Sequence, residues 1–328
     1  MTERVLVTGG SGFIGSHLMA AISARGHAVV NLDIKAPSAA AQKEQWAPCD
    51  IKNAQALTAA FNDFRPTRVI HLAAKANLNG NTVADFPDNT LGTENVVRCV
   101  NAASSVELFV NTSTQYVVMP GVRPPDASYL EPYTAYGESK AVAERTVRSD
   151  CKRPWSIIRP TNIWGPRHAF FPYELWRYLE LRYYVHPGLK PVRKYYGYVE
   201  NAVRQILYVA LAEHPADVNG KVWYITDGAI DNAEWMNGFS IGLSGKPVRR
   251  VPLPLWRVGA LIGDFLEWLG LGFPVNGDRL FRLTVNESVP EELIVPQEAE
   301  EFVSLEEGIA KSLEWYRATR LQVDAVRL

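Results

Sequence analysis

The sequence is poor in cysteine, balanced in charge and without a long apolar run. Its three cysteines, Cys49, Cys99 and Cys151, are widely spaced. No pair has metal-ligand or redox-motif spacing, so a disulfide framework is excluded and a reducing compartment is expected. Lys and Arg total 34 against 35 Asp and Glu, a net charge of −1. That balance excludes whole-molecule steering toward nucleic acid or an anionic membrane, although charges can still cluster locally. The most apolar late stretch, 252–272, is interrupted by Arg257, Asp264 and Glu267 and by Gly259, Gly263 and Gly270. A membrane span needs about 20 mostly apolar residues. At the start, Arg4-Val5-Leu6-Val7-Thr8 runs directly into Gly9-Gly10, leaving no room for the apolar region of a signal peptide. A soluble, cytoplasmic protein with no nucleic-acid partner, no membrane and no metal site is the expectation.

What is present is an ordinary globular composition, 47% apolar and 21% charged over 328 residues, enough for about two domains at roughly 150 residues each. Short β-rich runs alternate with helical patterns. Val5-Leu6-Val7, Ala28 to Leu32, Arg68 to Leu72, Leu108-Phe109-Val110 and Trp155 to Ile158 read as strands. Helical spacing follows Phe13, spans 54–64, 89–101 and 135–149, and returns at 203–211. This alternation predicts an α/β fold, a doubly wound parallel sheet of Rossmann type with ligands at the carboxyl ends of its strands. After Pro160 prolines and aromatics (Phe170, Phe171, Tyr173, Trp176, Tyr178, Tyr183, Tyr184) replace the alternation, and Val222-Trp223-Tyr224-Ile225 reads as one more strand. The expected division is a dinucleotide domain over 1–160 that reclaims 195–228, and a smaller, mostly α substrate lobe over 161–194 and 229–328. The apolar stripe Trp256, Leu261, Phe265 and Trp268 has helical spacing, which predicts packing in the core of that lobe.

Thr8-Gly9-Gly10-Ser11-Gly12-Phe13-Ile14-Gly15 links the first strand to the first helix. Gly9, Gly12 and Gly15 permit a tight turn and close approach of a pyrophosphate to the amides of the helix start, including Phe13 and Ile14. Asp33 ends the second strand about 20 residues on, where a carboxylate accepts ribose hydroxyls and repels a 2′-phosphate, favouring NAD over NADP. Asp50-Ile51 is placed to meet adenine; Asp50 is also a good helix cap in its own right.

Tyr136 and Lys140 stand four positions apart within a predicted helix, so their side chains share one face. A neighbouring ammonium favours the phenolate, which predicts a lowered Tyr136 pKa and a group able to exchange a proton with a hydroxyl or carbonyl. Thr112-Ser113-Thr114 ends the strand from Leu108 and can orient the reacting oxygen.

Together with these runs, His71-Leu72-Ala73-Ala74, Asn89-Thr90-Leu91-Gly92-Thr93, Tyr136-Gly137-Glu138-Ser139-Lys140 and Arg159-Pro160-Thr161-Asn162-Ile163-Trp164-Gly165-Pro166 occur in order. The chain thereby resembles the extended short-chain dehydrogenase/reductases, the NAD-dependent epimerase/dehydratase group that acts mainly on nucleotide sugars. The resemblance is good over residues 2 to 230 and loose beyond. It implies NAD as cofactor, with Leu72, Ala73, Ala74, Asn89 and Thr112 added to the cofactor-facing set. It implies catalytic roles for Thr114, Tyr136 and Lys140, with the last two also facing the cofactor. Asn162 matches a residue near a substrate diphosphate, and Lys75 and Arg193 match positions that meet substrate. For Lys75 and Arg193 an ordinary surface charge is the equal alternative. A homodimer through 89–103 and 136–150 is implied as well.

Departures narrow the chemistry. Sugar 4,6-dehydratases place Asp-Glu after the catalytic Thr, whereas Gln115-Tyr116 stands here; Gln cannot act as a general acid, which argues against dehydration. Val117-Val118, Trp223-Tyr224-Ile225-Thr226-Asp227-Gly228 and Val251-Pro252-Leu253-Pro254-Leu255 resemble the 3β-hydroxysteroid dehydrogenase-like branch instead. The leading expectation is C4 epimerisation of a nucleotide-diphosphate sugar through a 4-keto intermediate. The alternative is a dehydrogenase or reductase of a keto-sugar or sterol-like alcohol without epimerisation. A non-catalytic nucleotide-sensing protein on the same scaffold is the third reading.

Overall fold

A computed structural model describes residues 2–77, 80–168, 175–271, 273, 275–296 and 302–326. The aromatics Phe170, Phe171 and Tyr173 lie outside the described residues. The central element is a seven-stranded sheet built from β1 (Arg4–Thr8), β2 (Ala28–Asp33), β3 (Trp46–Pro48), β4 (Arg68–His71), β5 (Leu108–Thr112), β6 (Trp155–Pro160) and β10 (Lys221–Ile225). Its order is β3-β2-β1-β4-β5-β6-β10, and every neighbouring pair is parallel. Strand order reverses between β1 and β4, and such a switch point opens a crevice at the carboxyl ends of the strands. The strands are apolar on both faces because helices cover both faces.

Helices α1 (Phe13–Ala24) and α6 (Val199–Ala210) pack on one face, and α2 (Ala54–Phe64), α3 (Thr93–Ala102) and α4 (Ala135–Asp150) on the other. Val5, Val7, Leu18, Ile22, Ile70, Val203 and Ile206 belong to the first core, and Leu6, Leu57, Phe61, Val69, Val97 and Phe109 to the second. The helix expected from 89 begins with a π-type turn over Asp88–Gly92 before α3. Gly92 sits so close to Ile51 that a Cβ would lie 2.5 Å from its Cδ1. The Asp50 capping alternative is not realised, because Asn53 caps α2 by accepting from Ala56 N at 3.0 Å.

Beyond β6 the chain forms β7 (Asn162–Trp164), α5 (Leu175–Glu180), β8 (Val185–Pro187) and β9 (Arg193–Tyr198) before α6. After β10 come β11 (Gly228–Asp231), α7 (Asn232–Ser244), β12 (Arg249–Val251), α8 (Leu253–Trp268), α9 (Gly277–Thr284) and α10 (Leu305–Val326). Strands β11, β9 and β7 make a small mixed sheet, and β12 pairs with β8. The aromatics do most of the packing here. Tyr196 stacks on Trp235 at 4.7 Å between ring centres, Trp176 on Phe239 at 4.9 Å, and Trp164 meets Tyr198, Trp235 and Phe239.

The stripe on α8 departs from expectation. Leu261, Phe265 and Trp268 are exposed rather than in a core. The face of α8 carrying Ala260 and Gly263 packs inward instead, since Gly263 lies directly against the backbone of Val275. No helix among the described residues is long and apolar enough to cross a membrane. The three cysteines are free thiols.

Candidate active site

The glycine turn has the shape its sequence predicts. Gly9 has φ +76°, a conformation only glycine adopts cheaply, and a Cβ there would lie 2.6 Å from Ala73 N. At Gly15 a Cβ would lie 2.3 Å from Gly9 O, so the helix start is pressed onto the turn. Gly12 caps α1 without any side chain, leaving the first amides of the helix, at Phe13 and Ile14, open to an anion. Asp33 is held at the mouth of this turn, accepting from Ser11 N at 3.1 Å and Lys35 N at 2.9 Å. Leu72 and Ala73 line the other side, tied to β1 through Thr8 O and Thr8 Oγ1, and Ala74 follows at the same strand end. A turn that excludes Cβ atoms, an uncapped helix start and a fixed carboxylate fit an adenine dinucleotide.

Other residues expected at the cofactor or the substrate have partners within the protein. Asn89 is fully buried: its Oδ1 accepts from Lys75 N at 2.8 Å, and its Nδ2 donates to Lys75 O and to Ser139 Oγ. Its amide thus latches the 73–75 loop to α4 rather than facing outward. Lys75 Nζ donates to Asp85 O at 3.0 Å and lies over the Phe86 ring. Ile51 is a core residue whose carbonyl accepts from Asn95 Nδ2. Asp50 accepts from Lys52 N and pairs with its ammonium at 3.1 Å.

Tyr136 lies in the first turn of α4, which Thr134 caps by accepting from Gly137 N at 3.0 Å. Gly137 is needed there, since a Cβ would lie 2.3 Å from Tyr116 O. The Thr114 hydroxyl is near enough to Tyr136 to act on its ionisation. Burial pushes the Tyr136 phenol up to about 12, with the Thr114 hydroxyl acting the other way. The expected lowering by Lys140 is therefore not what this arrangement produces. Lys140, only 2% exposed, is itself pushed down to about 8 by burial, against the pull of Glu144. Desolvation at a shared buried face outweighs a single neighbouring charge. Behind them His71 is wedged between the hydroxyls of Thr8 (2.6 Å) and Thr93 (3.1 Å). Burial, helped by the Lys140 charge, lowers it to about 3, so it is a neutral bridge.

Two residues to which the motifs gave no role anchor this helix. Glu144 and Arg159, both fully buried, form a two-pronged pair with both contacts at 2.9 Å. Arg159 also donates to Tyr224 Oη and Ala127 O, clamping α4 to β6 and β10. An arginine in an apolar strand followed by proline was the available signal.

Gln115, Tyr116, Val118, Tyr224, Glu287 and Val289 line a small pocket near Thr114. Burial raises the hydroxyls of Tyr116 and Tyr133, the latter to about 12. The buried Ser113 Oγ, Gln115 Nε2 and Tyr133 Oη, with Thr112 Oγ1 at the strand end, have no hydrogen-bond partner in the protein, and buried polar atoms of this kind await a ligand or water. Asn162 does not stand open. Its Nδ2 donates to Tyr195 O at 2.9 Å and to Glu287 Oε2 at 3.1 Å. Glu287 in turn pairs with Lys194 Nζ at 3.1 Å and accepts from Tyr195 N. Arg193 is exposed, its backbone tied to Asn286 and Glu287. Among the described residues no group of acidic, histidine and cysteine side chains is arranged to hold a metal.

A parallel sheet with a switch-point crevice, a glycine turn shaped for a dinucleotide, and a buried Thr-Tyr-Lys set beside it define a nicotinamide-dependent enzyme of the oxidoreductase type. Residues 5–225 match the sequence model of the NAD dependent epimerase/dehydratase family. The chain belongs to that family, and NAD is its cofactor. It is 31% identical over 289 residues to the 3 beta-hydroxysteroid dehydrogenase/Delta 5-->4-isomerase of Mycobacterium tuberculosis, covering 82% of this chain and 75% of that one. It is 32% identical over 181 residues to the UDP-glucose 4-epimerase of Mycolicibacterium smegmatis, covering 50% and 57%. The Thermus thermophilus UDP-glucose 4-epimerase solved with NAD has the same fold, with TM-score 0.68 and 23% identity over 95% of this chain and 98% of that one.

Proposed function

We propose that the protein is an NAD-dependent dehydrogenase/reductase that interconverts a secondary hydroxyl and a ketone on a substrate of the sterol-like, apolar-alcohol class. The observation that carries this reading is the Asn162–Glu287 contact. Where the family pattern sets an amide against a substrate diphosphate, the amide is already engaged and a carboxylate only 9% exposed stands on it. Glu287 is itself paired with Lys194, and the Asn162 amide is spent on Tyr195 O and Glu287, so this point offers a diphosphate neither a free donor nor an unpaired cation. The similarity to a hydroxysteroid dehydrogenase over 82% of the chain supports the same choice.

In this reading the amides at the start of α1, with Asp33, would hold the dinucleotide, and Lys140 would meet its nicotinamide half. When bound, NAD would supply the hydride chemistry that a hydroxyl–ketone interconversion needs. Thr114 Oγ1 orients the substrate oxygen, and Tyr136 Oη moves the proton. A phenol near 12 is protonated at neutral pH, so as it stands Tyr136 donates a proton to a ketone. In the oxidative direction it must first release one, and that direction is expected to gain rate with rising pH while reduction does not.

A second reading, C4 epimerisation of a nucleotide sugar, is supported by the partial likeness to a UDP-glucose 4-epimerase and uses the same Thr114, Tyr136 and Lys140. Incubation with NAD and either a 3β-hydroxysterol or UDP-glucose, following NADH and product together, separates the two. Stoichiometric NADH from the sterol is expected. Interconversion of the sugar with no net NADH would overturn the dehydrogenase reading in favour of the second.

A further inference from the structure

Outside the catalytic crevice, the most unusual surface belongs to α8. Leu255, Val258, Leu261, Ile262, Phe265 and Trp268 project outward, from 51% exposed at Ile262 to 78% at Trp268. At 100° per residue they form one continuous arc along the helix, and Leu269 and Leu271 prolong it. The acidic side chains of α8 are drawn away from this arc. Asp264 accepts from Gly277 N and Glu267 from Asn276 Nδ2, each at 2.8 Å, so both are tied to the start of α9.

The flank of the arc is cationic. Arg249 and Arg250 immediately precede the helix, and Arg257 is exposed on it. Arg250 donates to Gly188 O and Lys190 O, both at 3.1 Å, which holds exposed Leu189 and Lys190 beside the helix start. Arg249, Arg257 and Lys190 have no carboxylate partner among the described residues.

We propose that α8 is an interfacial helix that lies in the plane of an anionic lipid surface, its apolar arc among the acyl chains and its basic flank against the headgroups. An apolar face with Trp, Phe and Leu beside unpaired Arg and Lys is what such helices need. A second copy of the chain fits less well, because the acidic side chains of its own α8 are spent on the start of α9 and offer Arg257 and Arg249 no counter-charge. The near-zero net charge hid this surface, because the cations are local. The inference rests on α8 alone and does not depend on the substrate.

The test is flotation of the full chain with vesicles of phosphatidylcholine, or of phosphatidylcholine with phosphatidylserine, without substrate. Binding to the anionic vesicles is expected, weakened by salt. Leu261→Asp with Phe265→Asp is expected to lower the partition coefficient roughly hundredfold, and Arg249→Glu with Arg257→Glu about tenfold at low salt. NAD binding serves as the folding control and is expected to be unchanged. The proposal is overturned if the native chain floats with neither vesicle, or if the Leu261/Phe265 variant floats as well as the native chain. It is also overturned if the native chain is a dimer that this variant converts to monomer. None of these outcomes bears on whether a sterol or a sugar is turned over.

Discussion

Replacing Lys140 by Met should make the protein more stable while removing its activity. Lys140 is buried with its pKa lowered from 10.5 to about 8. The difference is about 2.5 units, and at 1.36 kcal/mol per unit the buried ammonium costs the folded state about 3 kcal/mol. Met keeps the unbranched stem and the volume without the charge. Glu144 loses little, because Arg159 already grips both of its oxygens. Below pH 8 Lys140 is protonated in both folded and unfolded states, so the full cost is present and the variant's advantage is largest. Between pH 8 and 10.5 the unfolded chain binds more protons than the folded one, so the native enzyme gains stability as pH rises. Urea unfolding at pH 7 should therefore favour Lys140→Met by about 3 kcal/mol, and the gap should close toward pH 10.5. A variant less stable at pH 7, or an advantage independent of pH, would refute the assignment of Lys140 as a desolvated cation. Loss of turnover alongside the gain would be the stability–activity trade-off expected of a strained functional group.

Other perturbations probe the remaining parts. Tyr136→Phe is expected to lower kcat by about 10²–10⁴ while NAD binding and the urea midpoint stay unchanged. Gly15→Ala places a methyl 2.3 Å from Gly9 O, so isothermal titration should show NAD affinity falling at least about tenfold, with about 1–3 kcal/mol lost in stability. Arg159→Met leaves the buried Glu144 carboxylate without its main partner and should cost about 3–5 kcal/mol by urea unfolding. Adding Glu144→Gln to that variant should restore much of the loss.

The central sheet was legible because its information is local. Alternating apolar strands and periodic helices write β1, β2, β4, β5, β6, α2 and α4 into contiguous sequence, and a strand–glycine–helix junction ending in Asp33 needs no distant partner to be read. The Tyr136–Lys140 pair was legible for the same reason, since i and i+4 share a helical face. The protonation of that pair was not. It depends on how completely Thr114, Tyr116 and the turn at Gly137 exclude water, and no spacing encodes that.

What the sequence by itself determined, then, is the nucleotide-binding frame and the identity of the candidate hydroxyls and amine beside it. Tertiary structure alone decided what those groups face. Asn162 and Glu287 stand 125 positions apart, and only the fold brings the carboxylate onto the amide and so engages its donor. Asn89 became a latch because Lys75 and Ser139 converge on it. The amphipathic spacing of α8 has two faces, and periodicity cannot say which one turns inward. The close fit of Gly263 against Val275 and the ties of Asp264 and Glu267 to α9 made that choice, leaving the apolar face outside.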